Sequence, residues 1–406
     1  MGSFDSLRYR NFRLLWVGAF LSNIGTWMQS IALAWFVFLL TRSAFWVSFV
    51  TFVNFVPTVL SPIGGVFTDR LDRKRILFVT QTFMMADAAV LATLAWLHHA
   101  TLFAVLALTF GQGLAFAFNG PTWQAFVPSL VPSEAMVNAI ALNSTQFSLA
   151  RVIGPAIAGA IIAASSNGAA LVFTVNAVSF LTVIAALGLM RTPTFQPGER
   201  RRVREQLRSG LAYTWRNRRI RAMIEGIAVV SFFSAPATAL LPLFAADVYG
   251  RGADSYGSLA AALGLGSVAG ALVLGRLGNR IGKRVIATAM VSVGAVLLVF
   301  GSTDAYPIGL VMMFLFGAAY LLVVSGTNSD IQLAVDDQMR GRVISIWVVA
   351  FGVAYPAGAL LAGLLASAWG PQATAVVGAV ACLAWGLGMF RWTPGPSARP
   401  ALETGS

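Results

Sequence analysis

The chain has 406 residues, 57% of them hydrophobic and only 11% charged, with a mean hydropathy of +0.76. Soluble domains average about 25% charge, so a soluble globule is excluded. The net charge of +13 raises nucleic acid as a partner, but the cations fall between apolar runs where no soluble binding face can form, and that partner is excluded too.

A membrane-spanning helix needs about 20 apolar residues, and the chain has room for about a dozen. The runs fall at 14–40, 45–67, 76–97, 102–127, 137–164, 169–190, 221–246, 256–275, 285–301, 307–328, 342–369 and 373–391. Arg8, Arg10 and Arg13 precede the first run, which is too long for a signal-peptide core and is read as a retained helix. Thr41–Ala44 makes a tight hairpin into the second.

Between the second and third runs lies Gly64–Arg75, GGVFTDRLDRKR. Arg70, Arg73, Lys74 and Arg75 crowd beside Asp69 and Asp72, and cations flanking a span favour the cytoplasmic side. Gly64 and Gly65 allow two backbones to approach closely. An ordinary positive-inside loop needs the cations but not this spacing of glycine, acid and base. A second copy, GRLGNRIGKR at Gly275–Arg284, sets Gly275 on Gly65, Arg280 on Arg70, Lys283 on Arg73 and Arg284 on Lys74. Leu130–Ala163 likewise aligns without gaps to Leu333–Ala366. Both stretches open on an acidic turn, Glu134 and Asp337, and run into a helix interrupted by Pro and Gly. Matches about half a chain apart mean duplication.

The segment 191–220 holds Arg191, Arg200, Arg201, Arg202, Arg204, Arg208, Arg216, Arg218 and Arg219. It reads as a basic linker with an amphipathic surface helix near Arg200–Arg218. The expected divisions are 1–190, a bundle of six helices; 191–220, the linker; 221–391, a second bundle of six; and 392–406, a tail. The linker, both motif loops, Arg340, Arg342, Arg391 and Arg399 share one side, leaving only Arg42 and Arg251 opposite. Both termini are therefore expected in the cytoplasm.

The loop Gly-x-x-x-Asp-Arg and its weaker copy resemble the major facilitator superfamily, which implies an all-α fold of twelve membrane helices in two pseudo-symmetric bundles. Asp72 stands where that family usually has Gly, and Asn279 where the second copy would have Asp. The opening LRYRNFRLLWVGAFLSNIGTWMQSIALAW, the hairpin LTRSA, and Pro121 with AFVPSLVPSEAMVNAIALN are similar to the enterobactin-exporter-like and macrolide-efflux-like branch. The resemblance implies that Asp69 reaches the start of the eleventh helix near Arg340, Gly341 and Arg342, closing the cytoplasmic side. Gly65, Asp69, Arg70, Arg73, Arg280, Arg340 and Arg342 are thus gate residues. Gly154, Pro155 and Gly159 resemble the Gly-Pro motif of antiporters in this superfamily. They read as packing and hinge more than as cargo contacts.

Asn23, Trp27 and Ser30 share one face of the first helix. Gln112, Phe116, Asn119 and Trp123 share one face of the fourth, and Gln146 lies on the fifth. With Arg151, Asn328 and Tyr355 they are the expected substrate cavity; single amides in membrane helices are equally read as interhelical glue. Arg151 is deep in its span, and a mid-membrane Arg costs at least about 2.5–3.5 kcal/mol. Its two readings are a buried pair with Asp87 and a cavity role. Many proton antiporters of the superfamily carry an Arg at the position of Thr109, so coupling cannot be inherited from it. Asp87, Glu225 and Asp330 are the candidate proton carriers, with Asp87 first. Glu225 reads as an i,i+4 partner of Arg221, and Asp330 as solvated or gate-associated where its helix leaves the membrane. Trp215, Trp369 and Trp392 read as interfacial anchors.

Cys382 is the single cysteine, and His98 and His99 are adjacent in a loop. No catalytic constellation, metal site or cofactor is expected. The expected function is a monomeric secondary exporter of small amphipathic organic molecules such as a siderophore, drug or secondary metabolite. Its partners are proton and lipid bilayer, in the inner membrane of a bacterium. The competing readings are a carrier of lysophospholipid-like substrates and a non-transporting receptor or scaffold of the same fold.

Overall fold

A computed structural model describes residues 5–191, 203–278 and 281–391. Every regular element among them is helical. We number the spans α1 (Arg10–Thr41), α2 (44–70), α3 (Arg73–Trp96), α4 (Leu102–Phe126), α5 (Met136–Ala164) and α6 (Gly168–Leu189). After a linker helix, Val203–Arg216, come α7 (218–248), α8 (Ala253–Leu277), α9 (Lys283–Gly301), α10 (Tyr306–Ala334), α11 (337–369) and α12 (371–391).

Local chemistry sets the breaks. Arg42 adopts the left-handed region (φ 48°) and donates its N–H to Phe38, ending α1, and the extended Ser43 leads straight into α2. Pro57 opens the tight turn Val56–Leu60 inside α2, and the helix bends by 49° just beyond it, between Ala44–Leu60 and Ile63–Arg70. The stretch Met339–Arg391 is 53 residues long. At about 1.5 Å per residue it is more than twice the ~30 Å bilayer core. Gly370, at φ 81°, divides it into two antiparallel helices. Asp72 caps α3, accepting from the N–H groups of Lys74 (2.8 Å) and Arg75 (3.3 Å). That explains an Asp where glycine was expected: the loop is short, and the acid starts the next helix.

The packing repeats after six helices. In the first half α1 packs on α5 and α6, α3 on α4 and α6, and α2 on α4. In the second, α7 packs on α11 and α12, α9 on α10 and α12, and α8 on α10. Between the halves α5 meets α8 and α2 meets α11. Two parallel sets of six thus face each other across two seams.

The start of α1 at Arg10, the end of α12 at Arg391 and the linker helix lie on one face, here the linker face. There Asn11 donates to the Arg191 carbonyl (2.7 Å), Lys74 to the Met190 carbonyl (2.8 Å) and Arg73 to the Ala125 carbonyl (3.0 Å). The linker helix rests on α11 with its Ser209 hydroxyl on Arg342 (2.8 Å). Of the sequence expectations, Arg280, Asn279, Arg200–Arg202, Trp392, Arg399 and the tail 392–406 lie outside the described residues.

Candidate functional site

The seams between the halves are tight at the far face and open at the linker face, and small residues decide where. A Cβ built on Gly159 of α5 would come within 2.4 Å of the Gly257 Cα on α8, and the reverse approach is 2.3 Å. On the other seam, a Cβ on Gly363 of α11 would come within 2.5 Å of the Ser48 Cβ on α2. Trp35 of α1 stacks on Tyr256 of α8 at 5.7 Å. At mid-depth a Cβ on Gly264 of α8 would lie 2.9 Å from the Val152 Cα and 3.2 Å from the Arg151 carbonyl oxygen. Toward the linker face the contacts stop. Gly352 has only the Thr58 hydroxyl, at 3.9 Å, and Gly65, Gly275 and Gly341 have nothing within 4 Å.

At the apex of this wedge lies a cluster of aromatic and polar side chains. The Arg151 guanidinium sits 5.2 Å from the Trp27 ring centre, and Trp27 meets Phe147 edge-on at 5.8 Å. Across the seam Phe55 packs edge-on against Tyr355 at 5.5 Å. The Tyr355 hydroxyl is 3.0 Å from Thr238, and Tyr320 donates to Ser231 at 3.3 Å. Tyr320 and Tyr355, both of the second half, are close enough to Arg151 to interact with its charge. Arg151, Trp27, Phe55, Tyr320, Tyr355 and Asn328 are all partly exposed, which at mid-depth between two helix sets means that they face open space. Asn328 also accepts from Gln332.

The expected Arg151–Asp87 pair is not formed. Asp87 turns toward Gly111 and Phe83 at the boundary between α3 and α4, with its Oδ2 buried and lacking a partner. Equal depth on two helices does not make two side chains meet; the angle around each axis also decides, and here they diverge. Arg151 instead takes the ring face of Trp27, a favourable place for a cation.

Three of the expected cavity amides stand behind the wall. Gln112, Asn119 and Gln146 are 8%, 6% and 1% exposed. Gln112 accepts from Gln29 (3.1 Å), which accepts from Asn176 (2.7 Å), tying α4, α1 and α6. Asn119 donates to Thr80 (3.0 Å), and Gln146 joins Asn143, which also accepts from Trp123 (3.0 Å). Asn23 reaches Gln146 only at 3.5 Å, and Phe116 is 45% exposed. The second reading of single amides, interhelical glue, describes them. Gln29 and Asn176 completed this network unforeseen; amides inside strongly apolar runs were the available signal.

The helix-5 motif divides its work. A Cβ on Gly154 would strike Trp27 (2.6 Å) and the Ile24 carbonyl (2.9 Å), so this glycine seats α1 and Trp27 within the first half. Gly159 serves the seam itself. Pro155 is buried between them.

The gate residues are not brought together. Asp69 and Arg70 are exposed, and among the described residues Asp69 has no hydrogen bond or ion pair. Arg340 donates to the Gln332 carbonyl (3.1 Å) and Arg342 to Ser209, both on their own side of the seam. Asp330 is not solvated: it is 1% exposed and held bidentately by Arg219 (3.1 and 2.5 Å). Glu225 pairs with Arg221 at 3.5 Å. Beside that pair a cleft of about 250 Å³ separates α7 from α12, away from the wedge.

Two six-helix sets with a wedge between them define a multi-pass membrane transporter of the major facilitator type. The chain matches the transmembrane secretion effector family over residues 1–396 and belongs to it. Among its relatives is macrolide efflux protein A of Streptococcus pyogenes, 23% identical over 88% of this chain and 91% of that one. Another is the enterobactin exporter EntS of Escherichia coli, 26% identical over 90% of this chain and 87% of the relative. The fold is also that of a bacterial homologue of the human lysosomal transporter Spinster, solved inward-facing and occupied (TM-score 0.76, 14% identity, 95% and 99% coverage). The nucleoside transporter NupG shares it as well (TM-score 0.74, 11% identity, 94% and 99% coverage). The family and these relatives are transporters, not enzymes.

Proposed function

We propose that this protein exports small amphipathic organic molecules from the bacterial cytoplasm across the inner membrane, as a monomer working by alternating access. One observation carries the reading: a wedge closed at one face by glycine contacts and open at the other, with a mixed aromatic and polar apex. The efflux activities named for its relatives support the direction of transport.

Basic residues gather on the linker face, and the positive-inside preference sets that face in the cytoplasm. The wedge then opens to the cytoplasm, the loading side for an exporter. In the opposite state the linker-face ends approach, and Asp69 comes to the start of α11 beside Arg340 and Arg342. A carboxylate near a helix N-terminus contributes about 0.3–2 kcal/mol. The second motif copy, with Asn279, supplies no matching charge.

Proton flow is the proposed driving force. Of the three candidate acids, Asp330 is fixed by Arg219 and Glu225 faces Arg221. Asp87 has an unpartnered oxygen in mid-span and no cation beside it among the described residues, so it is the acid to test. Proteoliposomes with and without an imposed pH gradient should accumulate a catecholate siderophore only with the gradient. Asp87→Asn should lose gradient-driven accumulation by at least about tenfold while retaining downhill exchange. Accumulation of lysophospholipid alone, or none in the wild type, contradicts the proposal.

A further inference from the structure

We infer that Arg151 and the rings around it form an anion-recognising subsite, and that the cargo is an amphipathic organic anion with a flat apolar body. The inference rests on the export reading and names its substrate class. Arg151 is the charged side chain at the apex of the wedge. Its companions there, Trp27, Phe147, Phe55, Tyr320 and Tyr355, are aromatic. Among the described residues it has no ion pair, and no guanidinium nitrogen is a sealed, unpartnered donor. The guanidinium therefore keeps its donors turned to the open space, where a planar anionic group can take two of them at once.

Its position is set from both sides. The Arg151 backbone is backed by Gly264 of α8, where even a Cβ would come within 3.2 Å of the Arg151 carbonyl. The side chain lies over Trp27, itself seated by Gly154. A cation held this way in an apolar surround is a poor host for another cation. It strongly favours a negative charge. Phe147 of α5 and Phe55 of α2, both of the first half, supply apolar ring surface for the body of the cargo. An anion on Arg151 of the first half whose body reaches Tyr320 and Tyr355 of the second touches both moving bodies. Occupancy can then favour their closure.

The test uses two probes sharing one ring skeleton: the anion 1-anilinonaphthalene-8-sulfonate and the neutral N-phenyl-1-naphthylamine. Binding of each is measured by fluorescence to the full chain in lipid nanodiscs, against empty nanodiscs. The wild type should bind the sulfonate roughly ten- to a hundredfold more tightly than the neutral probe. Arg151→Ala should remove that preference and leave the neutral probe's affinity within about twofold; Arg151→Lys should keep part of it. Equal affinities in the wild type overturn the inference without any variant, and so does an undiminished preference in Arg151→Ala. Flux of both probes in proteoliposomes separates the two readings. Flux of both without discrimination keeps export and removes the subsite. Discrimination without flux keeps the subsite and removes export.

Discussion

The same helices meet at the far face and part at the linker face, by different chemistry. At the far end backbones touch through Gly159, Gly257 and Gly363, and Trp35 lies flat on Tyr256. At the linker end the seam is lined by charge: Arg73, Lys74 and Arg342 bond within their own half or to the linker helix, and Asp69 stands exposed without a bond among the described residues. Small-residue contacts have short range and are all or nothing, so they suit a surface that must seal. Solvated ion pairs contribute only about 0–1 kcal/mol, so they suit a surface that must come apart in every cycle. The seams therefore need not be equally strong for either end to open.

The largest expected effect comes from the internal bonds that keep one body rigid. Arg219→Gln leaves Asp330, 1% exposed, without its half-exposed cation, and leaving a buried acceptor without its partner costs about 1–3 kcal/mol, or more when it is charged. Thermal unfolding of the purified protein should fall by several degrees or more, and the double variant Arg219→Gln/Asp330→Asn should recover much of the loss. An unchanged midpoint would mean that the pair does not hold α7 to α10.

Next comes the sealed end. Gly257→Val puts a branched side chain where a bare Cβ already approaches Gly159 to 2.3 Å. Overpacking costs about 1–3 kcal/mol, charged here only to the state in which the far face is shut. Export should drop roughly tenfold, and cysteines at the far face should label faster while those at the linker face label more slowly. The smallest effect belongs to Asp69→Asn, which removes about 0.3–2 kcal/mol from the other state. It should raise linker-face labelling by a few fold and leave unfolding unchanged. Identical labelling in variant and wild type would remove Asp69 from the gate.

Much of the fold was legible because spans announce themselves by length and hydropathy, and the repeat fixed their pairing. The twelve runs, the hairpin at Arg42 and the surface helix Val203–Arg216 all stand near where the sequence put them. Arg151 stood out by its charge in an apolar run, and it does lie at the apex. What depth cannot give is rotation. Asp87 turns toward Gly111 of α4 and is buried there, and Gln112 and Asn119 turn inward to Gln29 and Thr80 while Phe116, between them on the same helix, stays exposed. Partners of glycines are equally hidden. Nothing local in Gly159 says that it meets Gly257, because that contact belongs to two helices far apart in the chain. Asp72 carried a signal that went unused: an acid shortly before the apolar run at 76–97 is an N-cap candidate, and the helix does begin at Arg73.

The central claim is reciprocity: one end closes as the other opens. Paired spin labels at Arg70 and Gly341 report the linker face, and labels at Ser165 and Arg251 report the far face; all four positions are exposed. Pulsed electron-spin distance measurements in nanodiscs should give two distance populations for each pair. Asp69→Asn should enrich the long linker-face distance together with the short far-face distance, and Gly257→Val the reverse. Far-face distances that stay fixed while the linker-face distances change would contradict the account.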